Sequence, residues 1–202
     1  PATILRCRPT TKYLVLEMGI EYPGEMDFYL WLAKPDVGVI TNIYPTHTLF
    51  LKNVDRVLDE KSKLVKNLAG ENCAVLNSQN LLLSSLENKL KAKILWFGGN
   101  SKITASEILF TKNFRTKFTL KNNSQKININ LPILGKQFVD NALAASAVSV
   151  EFGIDMTMIK KGLESFQNQG HRMKVRILKS GAVLIDDSYN NDLDGLKLAL
   201  PF

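Results

Sequence analysis

The chain has 202 residues, 45% of them apolar and 22% charged, enough for one sizeable core plus part of a second domain. No apolar run approaches the roughly 20 residues that span a bilayer, and two cysteines are too few for a disulfide framework, so the sequence excludes membrane insertion and favours a reducing cytoplasm. The formal net charge of +7 favours anionic partners, but the basic residues form no long run and no nucleic-acid-binding motif, so nucleotides or phosphorylated metabolites are expected rather than nucleic acid.

In chain order, residues 12–18 form a short apolar run ending near Glu17 and read as a first strand. A helix is expected from Pro23-Gly24-Glu25 to Ala33, with Phe28 and Leu32 on its buried side. Val37–Thr41 reads as the second strand, closed by Asn42 and a loop through Pro45 and His47. Residues 53–68 are the clearest helix, followed by Gly70 as a stop signal. Cys73–Leu76 reads as a strand, 79–90 as a helix and 93–97 as a strand. This alternation predicts an α/β fold, a mostly parallel sheet flanked by helices. Residues 103–131 carry short β-prone runs separated by Lys, Asn and Ser, and read as a small antiparallel annex. Two helices are expected at 136–152 and 155–166, separated by Gly153. Strands at 173–178 and 182–186 read as the start of a second α/β domain.

Lys61 interrupts the helix pattern in an informative place. At about 100° per residue, Val54, Val57, Leu58, Leu64, Val65 and Leu68 share one apolar stripe with Lys61 at its centre. The other charges of the segment, Glu60 and Lys63 among them, fall towards the flanks or the opposite face. A lysine aimed at a core loses hydration and needs a partner, a snorkelling route or a chemical modification. For a lone lysine, snorkelling is the commoner outcome.

Ligands of open parallel sheets gather beyond the carboxyl ends of the strands. Glu17 at the end of the first strand, His47 in the loop after the second and Lys61 on the following helix therefore converge on one rim. Each is a weak signal by itself, since a strand-end glutamate is more often a solvated residue or a helix cap. Together they suggest a divalent metal site. Mg²⁺ prefers oxygen ligands, and a lysine ammonium offers none; a lysine carbamate formed with CO₂ would supply two and remove the charge.

An ordered set of short motifs covers nearly the whole chain: Glu17-Met18-Gly19, Pro23-Gly24-Glu25, Ala33-Lys34-Pro35-Asp36-Val37, Ile40-Thr41-Asn42, His47 and Lys61-Ser62-Lys63. It continues through Ala74-Val75-Leu76-Asn77, Leu131-Pro132 with Gly135, Asn141-Ala142-Leu143-Ala144-Ala145, Gly170-His171-Arg172-Met173 and Ile185-Asp186-Asp187-Ser188-Tyr189-Asn190. The set resembles the central ATPase domain of the Mur ligases, and within them the branch that adds D-alanyl-D-alanine. The resemblance implies that residues 1–168 are that central domain and 169–202 the beginning of the C-terminal domain. It further implies an ATP-dependent cytoplasmic ligase of peptidoglycan precursor synthesis, monomeric, acting on UDP-N-acetylmuramoyl-tripeptide and D-alanyl-D-alanine. Glu17, His47 and a carbamylated Lys61 would hold Mg²⁺, with Lys61 and His47 serving catalysis. Asn141, Arg172, Asp187 and Asn42 would contact ATP. Taken without the family, Asn141 is a helix-surface amide, Arg172 a solvated linker charge and Asp187 a strand-end turn residue.

The departures from the family pattern are specific. No G-x-x-x-x-G-K-S/T phosphate loop occurs in the 202 residues, and Pro1 is expected to fall just after it, so this stretch alone should bind ATP weakly and show no ligase turnover. Thr48-Leu49 and Lys52-Asn53 stand where Leu-Glu and Gly-Ser are usual, Asn191-Asp192-Leu193 replaces Ala-Asn-Pro, and Gln137-Phe138 replaces a His-Asn pair. Two other readings remain open from sequence: another Mur ligase or a folylpolyglutamate synthase, and a degenerate nucleotide-binding or interaction module without catalysis.

Overall fold

The computed structural model describes residues 2–45, 48–168 and 170–189. Six strands form one mostly parallel sheet in sequence order: β1 (Val37–Ile40), β2 (Cys73–Asn77), β3 (Lys93–Phe97), β4 (Ile103–Phe110), β5 (Thr116–Asn122) and β6 (Gln125–Leu131). β1, β2 and β3 are separated by helical connections, as parallel neighbours require. β3 pairs in parallel with β4, whereas β4–β5 and β5–β6 are antiparallel. The expected annex over 103–131 is therefore a continuation of the main sheet. Two further strands, β7 (Lys174–Ile177) and β8 (Val183–Asp186), pair antiparallel in a sheet of their own. The chain divides into two compact units, residues 1–74 with 80–94, and residues 75–79 with 95–202.

In the first unit the helices are α1 (Glu25–Leu32), α2 (Thr48–Leu51), α3 (Val54–Lys66) and the single turn α4 (Leu81–Ser84). α3 packs on α1, α2 and β1. Gly38 in β1 makes the β1 contact possible: a Cβ there would meet Val65, Leu68 and Leu64 of the α3 region at 3.1, 3.2 and 3.3 Å. Asn53 caps α3 by accepting the Arg56 N–H at 3.0 Å.

Three expectations need correction here. Residues 11–20 form no strand; Tyr13, Leu14 and Val15 are exposed, and among the described residues β1 ends the strand order on its side of the sheet. A strand exists only through a neighbour's ladder, and apolar composition cannot supply one. The helix expected at 79–90 is two short pieces, α4 and a 3-10 turn at Glu87–Lys89. Ser85 turns its hydroxyl back onto the Leu82 carbonyl at 2.7 Å, the local competition that makes serine a poor helix-interior residue. Phe28 is exposed beside Trp31, with ring centroids 5.9 Å apart, and Met26 instead anchors α1 in the core.

In the second unit α5 (Lys136–Glu151) packs on β4, β5 and α6 (Met156–Glu164), while α6 lies along β6. β6 is the edge strand, and α6 covers its outward peptide groups. Lys160 Nζ donates to the Asn128 carbonyl, and Glu164 Oε1 accepts the Asn130 N–H at 2.8 Å. The two side chains pair with each other at 2.9 Å. Asn123, at φ 53°, sits in the two-residue turn that sets the β5–β6 register.

Candidate active site

Within the first unit, Lys61 occupies the middle of α3, between the fully buried Val57 and Val65 that line the same face. Lys61 itself is half-buried, and burial pushes its amine pKa below the ordinary lysine value. It has no acidic partner among the described residues. The charges on either side of it behave differently from the helical-wheel expectation. Glu60 is buried, only 5% exposed, and is the one fully buried charged side chain among the described residues. Its Oε1 accepts the N–H groups of Gly24 and Met26, each at 3.0 Å, so α3 caps the N-terminus of α1. Gly24, the N-cap of α1, has φ 91°, a conformation that suits glycine. Lys63 bridges Glu60 at 2.8 Å and Asp27 at 2.6 Å. Burial raises the Glu60 pKa, but hydrogen bonds from Lys63, Met26 and Gly24 outweigh it and hold the carboxyl below its ordinary value. The bonds to Asp27 and Glu60 raise Lys63.

Asn42 lies two residues beyond the end of β1. It donates to the Tyr44 hydroxyl at 2.8 Å and accepts from the Asn80 amide, which also donates to the Ile43 carbonyl at 3.1 Å. Asn80 Oδ1 in turn accepts the N–H groups of Leu82 and Leu83, so one side chain ties the strand-end loop to the start of α4. Sequence reading passed over Asn80, although an asparagine just before Leu-Leu-Leu is a recognisable cap signal. Glu17 is exposed, in the segment without regular structure. His47 lies outside the described residues.

Within the second unit, Asn141 is exposed on α5, and the neighbouring Asp140 is half-buried, with its carboxyl raised by burial and lowered in part by Lys136. The entry to α5 is held by the buried Thr116, whose hydroxyl donates to the Ile133 carbonyl at 2.7 Å and accepts the Gly135 N–H at 3.2 Å. Asp187 Oδ1 accepts the Met173 N–H at 2.9 Å, and the Arg172 guanidinium stacks 4.1 Å from the Tyr189 ring centre. Asn168 fixes the Arg172 carbonyl at 2.7 Å. His171, at φ 64°, contacts Asp186 at 3.0 Å through Nδ1, and Ser188 donates to Asp186 at 2.7 Å. The Ser188 hydroxyl and a hydrogen bond from His171 hold the Asp186 carboxyl below its usual range.

No cluster of three or more His, Cys, Asp or Glu with metal-binding spacing occurs among the described residues. Among the described residues no helix is long and apolar enough to cross a membrane.

Comparison with known proteins gives a consistent assignment. Residues 1–149 match the Mur ligase middle domain. The UDP-N-acetylmuramoyl-tripeptide–D-alanyl-D-alanine ligase of Buchnera aphidicola from Acyrthosiphon pisum is 32% identical over 99% of this chain and 45% of its own length. A crystal structure of MurF from Acinetobacter baumannii superposes with a TM-score of 0.91 at 27% identity, over 98% of this chain and 44% of that one. The fold also matches the MurF ligase of Thermotoga maritima in complex with ADP, at a TM-score of 0.80 and 20% identity, over 91% and 42% of the two chains. The chain spans a little under half the length of the curated relatives it matches. With its fold and most of its length accounted for by one family, whose members are ATP-dependent ligases, this chain belongs to the Mur ligases and carries their middle domain.

Proposed function

We propose that this chain is part of an ATP-dependent ligase that joins D-alanyl-D-alanine to UDP-N-acetylmuramoyl-tripeptide. Residues 1–168 form its central domain and 169–202 the beginning of its C-terminal domain. The observation that carries the reading is Lys61, a half-buried amine at the centre of an apolar helix face with no acidic partner among the described residues, in a chain similar to D-alanyl-D-alanine-adding ligases over 99% of its length.

Glu17, His47 and a carbamylated Lys61 are the proposed holders of Mg²⁺, which takes oxygen ligands. Glu17 offers an exposed carboxylate, and His47, the second candidate ligand, lies outside the described residues. Burial favours the neutral form of the Lys61 amine. A neutral amine adds to the carbon of CO₂ and loses a proton, leaving a carbamate with two oxygens. A magnesium ion so held would neutralise charge on the phosphoryl group in transfer. Asn42 and Asn141 orient the nucleotide, and Arg172 offers a charge-assisted donor to its phosphates. Asp187, whose Oδ1 accepts the Met173 N–H, would contact the nucleotide through its other oxygen. A carboxylate oxygen of the tripeptide attacks the γ-phosphorus and ADP leaves. The amine of D-alanyl-D-alanine then attacks the acyl carbon of the acyl phosphate, loses a proton and expels phosphate.

The test uses the complete protein with ATP and UDP-N-acetylmuramoyl-tripeptide, following phosphate release and product mass. Release should require D-alanyl-D-alanine and yield the pentapeptide product. Equal turnover with a single amino acid as acceptor would assign a different ligation step, and no acceptor-dependent release would remove the enzymatic reading.

A further inference from the structure

We propose that the outward face of the antiparallel strands β4, β5 and β6 is a docking surface for an anionic lipid membrane, with Lys117, Lys121 and Lys126 set against the headgroups and Leu109 entering the interface beside them. None of these residues takes part in the reaction proposed above, and the inference stands apart from it.

The positive charge of the chain is concentrated in these strands. Residues 102–130 hold five lysines and one arginine against a single acid, Glu107, whereas the remaining residues hold 20 basic and 18 acidic side chains. Strand register puts the lysines on one side. Across β4, β5 and β6, Thr104, Lys121 and Lys126 form one row, Ser106, Thr119 and Asn128 a second, and Leu109, Lys117 and Asn130 a third. Side chains alternate between faces along a strand, so the intervening Phe118, Leu120 and Ile129 point the other way, and they are buried. Lys117 and Lys126 are exposed and Lys121 is half-buried. The exposed Lys102 and Lys112 extend the face at its two ends: the Lys102 carbonyl accepts the Asn123 N–H of the β5–β6 turn at 3.0 Å, and Lys112 lies in the β4–β5 turn.

Stability of the sheet does not account for this pattern. Lys121 stands directly opposite Lys126, and like charges so placed weaken a strand pair. Lys117, Lys121 and Lys126 have no acidic partner among the described residues. The one acid of the stretch, Glu107, accepts the Thr119 hydroxyl at 2.6 Å, and Arg115 is tied to the Asn130 side chain and carbonyl at 3.1 and 2.8 Å. Three features favour a lipid surface over another polyanion. The unpaired cations are lysines, hydrated point charges on flexible stems that suit mobile headgroups, rather than arginine forks that read a fixed phosphate. The three rows contain no aromatic ring on which a nucleic-acid base could stack. Leu109, 64% exposed and paired with Lys117, is an apolar side chain that a headgroup layer buries and a phosphate backbone does not. A lysine near an anionic membrane surface contributes about fivefold in affinity, so the face as a whole reaches useful binding without a pocket.

The experiment uses the full-length protein and its co-sedimentation with vesicles of equal parts phosphatidylcholine and phosphatidylglycerol, against vesicles of phosphatidylcholine alone. Wild type should bind the anionic vesicles, come off them at high salt and ignore the neutral ones. Replacing Lys117, Lys121 and Lys126 together by glutamine should weaken binding about 100-fold. Lys126→Gln alone should weaken it about fivefold, and carries the test if the triple variant does not fold. Leu109→Ser should weaken it about tenfold, through the apolar contact alone. A control with Lys66, Lys89 and Lys91, exposed lysines of the first unit, changed to glutamine loses the same charge and should stay within about threefold of wild type. Absence of wild-type binding to the anionic vesicles would overturn the proposal. So would an equal loss in the control, which would make net charge the cause rather than this face. Lysine-dependent binding untouched by Leu109→Ser, or duplex DNA held more tightly through the same lysines, would give the face to another polyanion and overturn the membrane reading.

Discussion

Lys61→Ala removes a half-buried amine from the centre of the buried face of α3. Two stability effects oppose each other. The methylene stem loses partial burial, at most about 0.8 kcal/mol per fully buried CH₂, so about 1–2 kcal/mol for a stem that is only half-covered. Against this, the substitution abolishes the desolvation of a charge without an acidic partner among the described residues, and alanine is the better helix former by a few tenths of a kcal/mol. The net change should fall within about 1 kcal/mol of zero, visible as a denaturation midpoint shifted little and with unchanged slope. Catalysis should respond on another scale. Loss of one preorganised electrostatic group at a reacting centre costs about 10²–10³ in kcat, or about 2.7–4 kcal/mol. The assay is acceptor-dependent phosphate release by the full-length variant, with formate or acetate added to place a small carboxylate in the vacated space. Partial recovery with formate is expected. Near-wild-type turnover of Lys61→Ala would refute the reasoning and leave Lys61 a snorkelling lysine.

Three further outcomes follow from the packing. Asn80→Leu removes two helix-cap hydrogen bonds and leaves the Ile43 carbonyl without its 3.1 Å donor; it should destabilise by about 2 kcal/mol in chemical denaturation, and Asn80→Asp, which keeps the cap, by less. Gly38→Ala forces a Cβ to within 3.1–3.3 Å of three side chains of the α3 region and should cost about 1–3 kcal/mol, whereas Gly19→Ala, with open space around it, should be near neutral. Burial raises the Glu164 pKa, but the bonds from Lys160 and Asn130 outweigh it and hold the carboxyl below its ordinary value. A depressed carboxylate contributes stability that is present above its unfolded pKa and is lost as pH falls through the folded one. Glu164→Gln should therefore lower the thermal midpoint at pH 7, and the difference from wild type should shrink steadily below about pH 4.5, as followed by calorimetry across pH.

The sequence by itself determined what depends on local pattern. The apolar stripe of 53–68 with Asn53 before it defines α3, because a 3.6-residue period buries one face whatever lies opposite. The same reasoning placed β4 to β6 in 103–131 and the two helices after them, and the ordered motifs carried the family. The tertiary structure decided everything that requires a partner distant in the chain. Residues 12–18 have the composition of a strand, but pairing belongs to two segments, and this one forms no ladder. Glu60 looks like a flank charge on a helical wheel; only the fold brings Gly24 and Met26, more than thirty residues away, to its carboxylate and makes burial of that charge tolerable. Phe28 reads as core and is exposed, because the contact of α1 with α3 leaves that part of the helix uncovered. Periodicity states which side of an element is apolar, and only packing states which polar groups that side will meet.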